Sequence, residues 1–178
     1  MASDLRQRLI TEFRWTDPEP GSDLLVSDRS GWWREPDILR AIGPALAGLH
    51  PGPAPTLVVA PEVTGFLLGP LVAAAAGAGF VEAYRYGVRR PIAEPMTWAD
   101  VPADHRGERH RLGVRTRLIT PSDRVLVVDD WAATGAQSRA LTELITRLGA
   151  TPVGTAVIVD EVGDEPRIRG LLTGADLG

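Results

Sequence analysis

Two adjacent carboxylates after an apolar run are the residues of this chain best suited to chemistry. Residues 124–137, the acidic-pair segment, hold apolar side chains at 125–128, then Asp129 and Asp130, then small residues and a hydroxyl at 132–136. A continuous apolar run predicts a strand buried on both faces of a parallel sheet. Carboxylates accept hydrogen bonds from sugar hydroxyls, and the amides of a turn that opens a helix bind phosphate. The segment therefore predicts a site for a phosphorylated sugar, with simple helix capping by the acids as the alternative.

A second strand–turn–helix pattern lies at residues 58–69. An apolar strand leads into Glu62 and Val63, and Thr64 and Gly65 then open a helix of small residues. Such a turn presents backbone amides to an anion at the start of the helix. Taken alone, the pattern fits a plain connection between a strand and a helix equally well.

Alternating strand and helix patterns surround these two segments. Helices are predicted at residues 4–13, 36–49, 65–77 and 136–148, and strands at 24–26, 56–60, 79–84, 125–128 and 153–159. Residues 109–119 alternate weakly and predict one or two more strands, whereas residues 87–108 predict a long loop or flap. This alternation predicts an α/β fold with a mainly parallel sheet flanked by helices.

The acidic-pair segment resembles the 5-phosphoribosyl 1-pyrophosphate (PRPP) motif of type I phosphoribosyltransferases, in which an apolar strand and two acids precede Ala-Thr-Gly. The resemblance implies that Asp129 and Asp130 are catalytic residues that contact the ribose hydroxyls. It also implies that the following loop, the phosphate loop, grips the 5′-phosphate. The residues of that loop are Ala133, Thr134, Gly135, Ala136 and Gln137. Ala136 and Gln137 stand where the family commonly has a second Gly and a Thr.

The turn at residues 62–65 resembles the pyrophosphate loop of the adenine-type members of this family. Thr64 replaces the Arg of that loop, and Phe66 matches it. The implied pyrophosphate contacts are Glu62, Val63, Thr64, Gly65, Arg85 and Arg89. The Glu-Tyr-Gly segment of the family's flap has its nearest counterpart at residues 111–113, where the Glu is absent.

Flat aromatic side chains are candidates for stacking on a base. Trp131 lies inside the acidic-pair segment, and Trp32 and Trp33 lie near the N-terminus. The resemblance implies that residues 1–35 form a small N-terminal hood over the base. Residues 36–178 would then form the phosphoribosyltransferase core, with the flap at about 87–108.

Composition restricts the classes of protein to which the chain could belong. Hydrophobic residues make up 44% and charged residues 24%, which is typical of a globular domain. The chain has no Cys, so disulfides, thiolate metal sites and a cysteine nucleophile are excluded. The N-terminus lacks the apolar core of a signal peptide, which favours a cytoplasmic protein without a membrane partner. A net charge of −4 does not favour nucleic acid as a partner.

The resemblance leads to a predicted function in nucleotide metabolism and purine salvage. The chain is expected to transfer ribose 5-phosphate from PRPP to a purine-like or other heteroaromatic base and to release pyrophosphate. Mg²⁺ is the implied cofactor, held largely by substrate oxygens and water, and no residue is assigned as a metal ligand. A homodimer is expected. The alternative is a non-catalytic PRPP- or nucleotide-sensing protein on the same fold, which the missing Arg and Glu favour.

Overall fold

The computed structural model describes residues 2–19, 21, 25–87, 92–103 and 109–178. Its helices are α1 (Ala2–Glu12), α2 (Ser30–Arg34), α3 (Pro36–Ala47), α4 (Gly65–Ala76) and α5 (Ala136–Arg147). Its strands are β1 (Arg14–Thr16), β2 (Val26–Asp28), β3 (Leu57–Pro61), β4 (Gly79–Arg85), β5 (Met96–Val101), β6 (His110–Arg115), β7 (Arg124–Ala132), β8 (Thr151–Asp160) and β9 (Ile168–Thr173). Short 3₁₀ turns occupy Thr116–Leu118 and Gly174–Leu177.

A seven-stranded sheet in the order β5-β6-β4-β3-β7-β8-β9 forms the centre of the protein. The pairs from β4 through β3, β7 and β8 to β9 are parallel, whereas β6 pairs antiparallel with β4 and β5. The predicted α/β fold with a mainly parallel sheet is therefore confirmed. Because β3 and β7 are parallel neighbours, the two loops singled out in the sequence begin at the same edge of the sheet.

Alternate side chains of β7 enter two separate hydrophobic cores. Leu126 and Val128 pack in the core that holds α1 to α4, whereas Val125 and Val127 pack with α5 on the other face. This alternation is the two-residue period of a strand, and covering both faces explains why the run is apolar throughout. The sheet thus holds the acidic pair on a strand that is buried on both sides.

The hood packs onto the first of these cores. Leu5, Leu9 and Phe13 of its first segment are buried in the same cluster as Ile38 and Ile42 of α3. The short strands β1 and β2 form a separate antiparallel pair. This packing sets the hood against one face of the sheet; the division of the chain at residue 35 stays a prediction.

Several sequence-based assignments differ from the structure. Residues 96–101, inside the predicted flap, form edge strand β5 in a register that pairs Trp98 with Gly113 of β6. Strand β9 was not predicted, because Ile168–Thr173 follows a polar segment and its strand partner is β8. Strand β7 continues past the acidic pair to Ala132, so the two acids lie inside the strand. The flap residues 88–91 and 104–108 lie outside the described residues.

Candidate active site

A cleft of about 700 Å³ opens at the carboxyl ends of the parallel strands. Its floor is the end of β7 and the whole phosphate loop, and its opposite wall comes from β1, β2 and the residues that flank them. The residues that line it include Trp15, Leu25, Val26, Ser27, Arg29, Arg85, Val101, Pro102, His110, Asp130, Trp131, the phosphate-loop residues and Glu161. The position agrees with the general rule that open α/β sheets bind ligands beyond the carboxyl ends of their strands.

The two adjacent acids have different environments within β7. Asp130 lines the cleft, while Asp129 projects to the other face of the strand because successive side chains alternate. Both side chains are buried, and the Asp129 carboxylate accepts the backbone N–H of Asp130 at 2.9 Å. Burial, followed by the neighbouring charge of Asp130, raises the pKa of Asp129 well above its ordinary value.

Arg29 joins the hood to the acidic pair. It follows β2, and its guanidinium forms an ion pair and hydrogen bond with the Asp130 carboxylate. The Arg29 side chain is 28% exposed and that of Asp130 is 9% exposed, so the pair is partly shielded from water. This contact spans 101 positions of sequence and fixes the hood across the cleft from the phosphate loop.

The phosphate loop is a tight turn between β7 and α5. Gly135 has a φ of +71°, in the left-handed region that favours glycine, and it precedes the first residue of α5. The Thr134 hydroxyl accepts the Ala136 N–H at 3.3 Å, and Arg139 donates to the Thr134 carbonyl at 2.7 Å. All five residues of the loop line the cleft. The turn therefore sets the N-terminus of a twelve-residue helix against the cleft, where the helix dipole favours an anion.

The predicted pyrophosphate loop lies between β3 and α4. Glu62 accepts the backbone N–H of Arg85 at 3.1 Å, which ties the loop to the end of β4. The peptide bond between Glu62 and Val63 is cis, and Gly65 is the first residue of α4. Arg85 lines the cleft, whereas residues 62–65 begin at the same sheet edge without forming its wall. Arg89 lies outside the described residues.

The three tryptophans assigned to the base occupy different places. Trp131 lines the cleft. Trp32 is fully buried and its indole N–H donates to the Leu9 carbonyl at 2.8 Å, so its assignment as a base contact is corrected to a core position. Trp33 is partly buried against the same core, with its ring centroid 6.1 Å from that of Trp32. Both rings contribute to the hydrophobic packing of the hood, because helices as short as those of the hood depend on tertiary packing for their stability.

Sequence reasoning did not assign Trp15, Arg29, His110 or Glu161 to the site, yet all four line the cleft. Trp15 lies on β1, and its indole N–H donates to the Leu177 carbonyl at 3.1 Å. Glu161 immediately follows β8, and a search for polar residues just beyond every predicted parallel strand would have found it. No comparable local signal marks Trp15, since its place depends on contacts with the C-terminus.

The described residues bear on the predicted Mg²⁺ cofactor and on membrane-spanning helices. In the described part of the chain, no group of three or more His, Asp or Glu side chains could hold a metal ion. The carboxylates beside the cleft are nonetheless hard oxygen donors of the kind compatible with Mg²⁺ and its water shell. None of the helices built from described residues is long and apolar enough to cross a membrane.

Comparison with known proteins identifies the family. The adenine phosphoribosyltransferase of Streptomyces coelicolor is 35% identical over 162 residues, which cover 90% of this chain and 85% of that protein. That of Pectobacterium carotovorum is 33% identical over 156 residues, covering 86% and 80%. No protein-family model matches the chain.

Solved structures show the same fold. The adenine phosphoribosyltransferase of Rhodothermus marinus superposes with a TM-score of 0.80 at 24% identity, covering 96% of this chain and 99% of that one. The enzyme of Leishmania donovani gives 0.81 at 22% identity, covering 98% and 81%. Because sequence relatives above 30% identity span most of both proteins, the chain belongs to the adenine phosphoribosyltransferases, within the type I phosphoribosyltransferase family.

Proposed function

We propose that this phosphoribosyltransferase uses adenine as its acceptor base. The enzyme transfers ribose 5-phosphate from PRPP to a purine base and releases pyrophosphate, as its family membership implies. The choice of adenine is supported by the names of the relatives. The observation that carries the assignment of the site is the joint placement of Asp130 and the whole phosphate loop in one cleft beneath the hood.

The acidic pair and the phosphate loop would hold the ribose 5-phosphate half of PRPP. The Asp130 carboxylate, which lines the cleft, accepts the ribose hydroxyls, and the amides of the loop and of the α5 N-terminus receive the 5′-phosphate. The ribose contact implied for Asp129 stays a prediction, because its side chain lies on the other face of β7. Bond breaking at the anomeric carbon develops oxocarbenium character, as in glycosidic chemistry. Fixing the sugar between two anchors lowers the barrier by orientation, and the Asp130 carboxylate stabilises the positive charge that develops on the ring.

The leaving pyrophosphate would lie toward β3 and β4. Arg85 lines the cleft and is held there by the contact of its backbone with Glu62, and the amides of residues 62–65 begin at the same edge. Mg²⁺, held largely by pyrophosphate oxygens and water, would neutralise the charge of this leaving group. Thr64 contributes a hydroxyl where the adenine-type loop has an Arg.

The base would lie between the hood and β7. Trp131 and Trp15 line this end, with ring centroids 6.2 Å apart in an edge-to-face arrangement. Their flat faces suit an aromatic ring, and the hood restricts water that would otherwise attack the activated sugar.

The interface of the proposed homodimer would lie on the exposed side of α4. This helix, Gly65–Ala76, contains no charged residue, and Leu67 is 54% exposed on its outer face. Val63, just before it, is 73% exposed. A helix that is apolar on every side is normally covered, and a second copy of the chain is the proposed cover. The cytoplasmic location stays a prediction from the sequence.

The reaction is tested with purified protein, PRPP, Mg²⁺ and a panel of purines and pyrimidines, measuring pyrophosphate and nucleotide together. Adenine should give both products, and Asp129→Asn with Asp130→Asn should abolish them while Asp37→Asn, on the exposed face of α3, leaves them unchanged. Tight PRPP binding with no product from any base would instead support the non-catalytic sensor, which gains no support from the comparisons.

A further inference from the structure

Glu161 brings a carboxylate to the hood end of the cleft. It is the first residue after β8, it is solvent-exposed, and it lines the cleft together with Trp131. The Trp131 ring lies 6.0 Å from Phe13 and 6.2 Å from Trp15, both in the hood. Glu161 therefore lies on the side of the ribose anchor that faces the hood, where the proposed function puts the base.

Three contacts hold this carboxylate in place. The Glu161 backbone N–H donates to the Ala132 carbonyl at 3.0 Å, which joins the ends of β8 and β7. The Trp131 indole N–H donates to Glu161 Oε2 at 2.9 Å. On the other side the backbone of Gly174 approaches so closely that a Cβ there would lie 2.4 Å from Glu161 Oε1. The side chain is thus positioned by its surroundings, although it is open to the cleft.

The chemistry of a carboxylate limits what Glu161 can recognise. Its oxygens accept hydrogen bonds and donate none, and only one acceptor site of Oε2 is used by Trp131. A ligand group beside it must therefore be a hydrogen-bond donor, and on a purine base that donor is an N–H. We propose that Glu161 is a specificity-determining residue of the base site, which accepts a hydrogen bond from the exocyclic amino group of an aminopurine.

The proposal rests on the proposed function, because it assumes that the base lies beside Trp131. An oxo group at the same ring position offers only lone pairs, which a carboxylate repels. A site built to pair with a donor discriminates strongly against the analogue that lacks it, because a polar group is then left unpaired. Glu161 would thus select 6-aminopurines over 6-oxopurines.

The test uses AMP and IMP, which share ribose and phosphate and differ in the base edge, and measures their dissociation constants by calorimetry. Wild-type protein should bind AMP about tenfold or more tightly than IMP. Glu161→Gln should bring the ratio close to one, because an amide can donate to an oxo group as well as accept from an amino group. Glu143→Gln, an exposed site on α5, is the charge-matched control and should keep the wild-type ratio.

Gly174→Ala provides a second variant that leaves the charge of Glu161 intact. Its new Cβ would displace the carboxylate, so the AMP preference should fall, whereas Gly52→Ala, with nothing near the added carbon, should not change it. An AMP/IMP ratio that stays at its wild-type value in folded Glu161→Gln and Gly174→Ala would overturn the proposal. A ratio that responds to these changes while PRPP and adenine give no product would support Glu161 and contradict the proposed reaction.

Discussion

Replacing Gly135 with alanine tests the phosphate loop directly. Gly135 has a φ of +71°, and an added Cβ would lie 2.8 Å from Arg139 Nη1 and 3.0 Å from Ile168 Cδ1. A non-glycine residue in the left-handed region costs about 1–2 kcal/mol, and overpacking adds about 1–3 kcal/mol. Keeping the native turn would therefore cost about 2–5 kcal/mol in total.

Gly163 supplies the matched control because its φ is +78° and nothing lies within 4 Å of an added Cβ. Gly163→Ala should cost only the backbone term of about 1–2 kcal/mol, with ligand binding unchanged. In Gly135→Ala the loop is expected to rearrange, which relieves part of the strain and misdirects the amides. The affinity for ribose 5-phosphate should then fall about tenfold or more, equivalent to about 1.4 kcal/mol.

The stabilities of the two variants are compared by urea and thermal unfolding, and their affinities by calorimetric titration with ribose 5-phosphate. Each kcal/mol lost should lower the midpoint of thermal unfolding by about 2–4 °C for a chain of this size. Gly135→Ala with wild-type affinity for ribose 5-phosphate and a measurable loss of stability would refute the assignment of this loop to the phosphate.

Three further changes test the acidic pair, the hood contact and the dimer. Folding raises the pKa of Asp129, so this group destabilises the folded protein increasingly as the pH rises from its ordinary pKa through the raised one. Asp129→Asn should therefore stabilise the protein more at pH 7.5 than at pH 4, as measured by urea unfolding. Arg29→Met removes the partner of the buried Asp130 and should lower the free energy of unfolding by about 1–3 kcal/mol, less than for a fully buried pair. If the proposed homodimer forms through α4, Leu67→Glu should prevent its formation and leave a 19.1 kDa monomer in sedimentation equilibrium.

Each change has a control variant at an exposed residue away from the cleft and from α4. An Asp37→Asn variant should show no comparable gain in stability between the two pH values. Arg40→Met breaks the exposed Arg40–Asp37 pair and should cost about 0–1 kcal/mol. Thr146→Glu adds a charge on the exposed face of α5 and should leave the molecular mass in sedimentation equilibrium unchanged. Equal effects of a test variant and its control would contradict the corresponding assignment.

Local patterns predicted the elements that carry the anchors of the site. The apolar run before Asp129 identified β7, and the spacing of Leu141, Leu144 and Ile145 identified α5, since each period follows from the geometry of its element. Small residues and a glycine between them predicted the tight turn that Gly135 makes. These features depend on neighbours within a few positions, so sequence alone predicts them.

The walls of the cleft depend on distant contacts that no local pattern contains. Arg29 reaches Asp130 across 101 positions, and Trp15 is fixed by the C-terminal Leu177 across 162. Trp32 looked like a base contact because aromatic residues suit both roles, and only the packed hood shows that it is buried. Strand β5 was missed for the same reason, since its partner β6 defines it.

The most direct measurement of the central claim is product formation from PRPP, Mg²⁺ and adenine. The account predicts AMP and pyrophosphate in equal amounts, and loss of both in the Asp129→Asn, Asp130→Asn double variant while its fold is retained. Saturable PRPP binding without any nucleotide formed from adenine or another purine would contradict it.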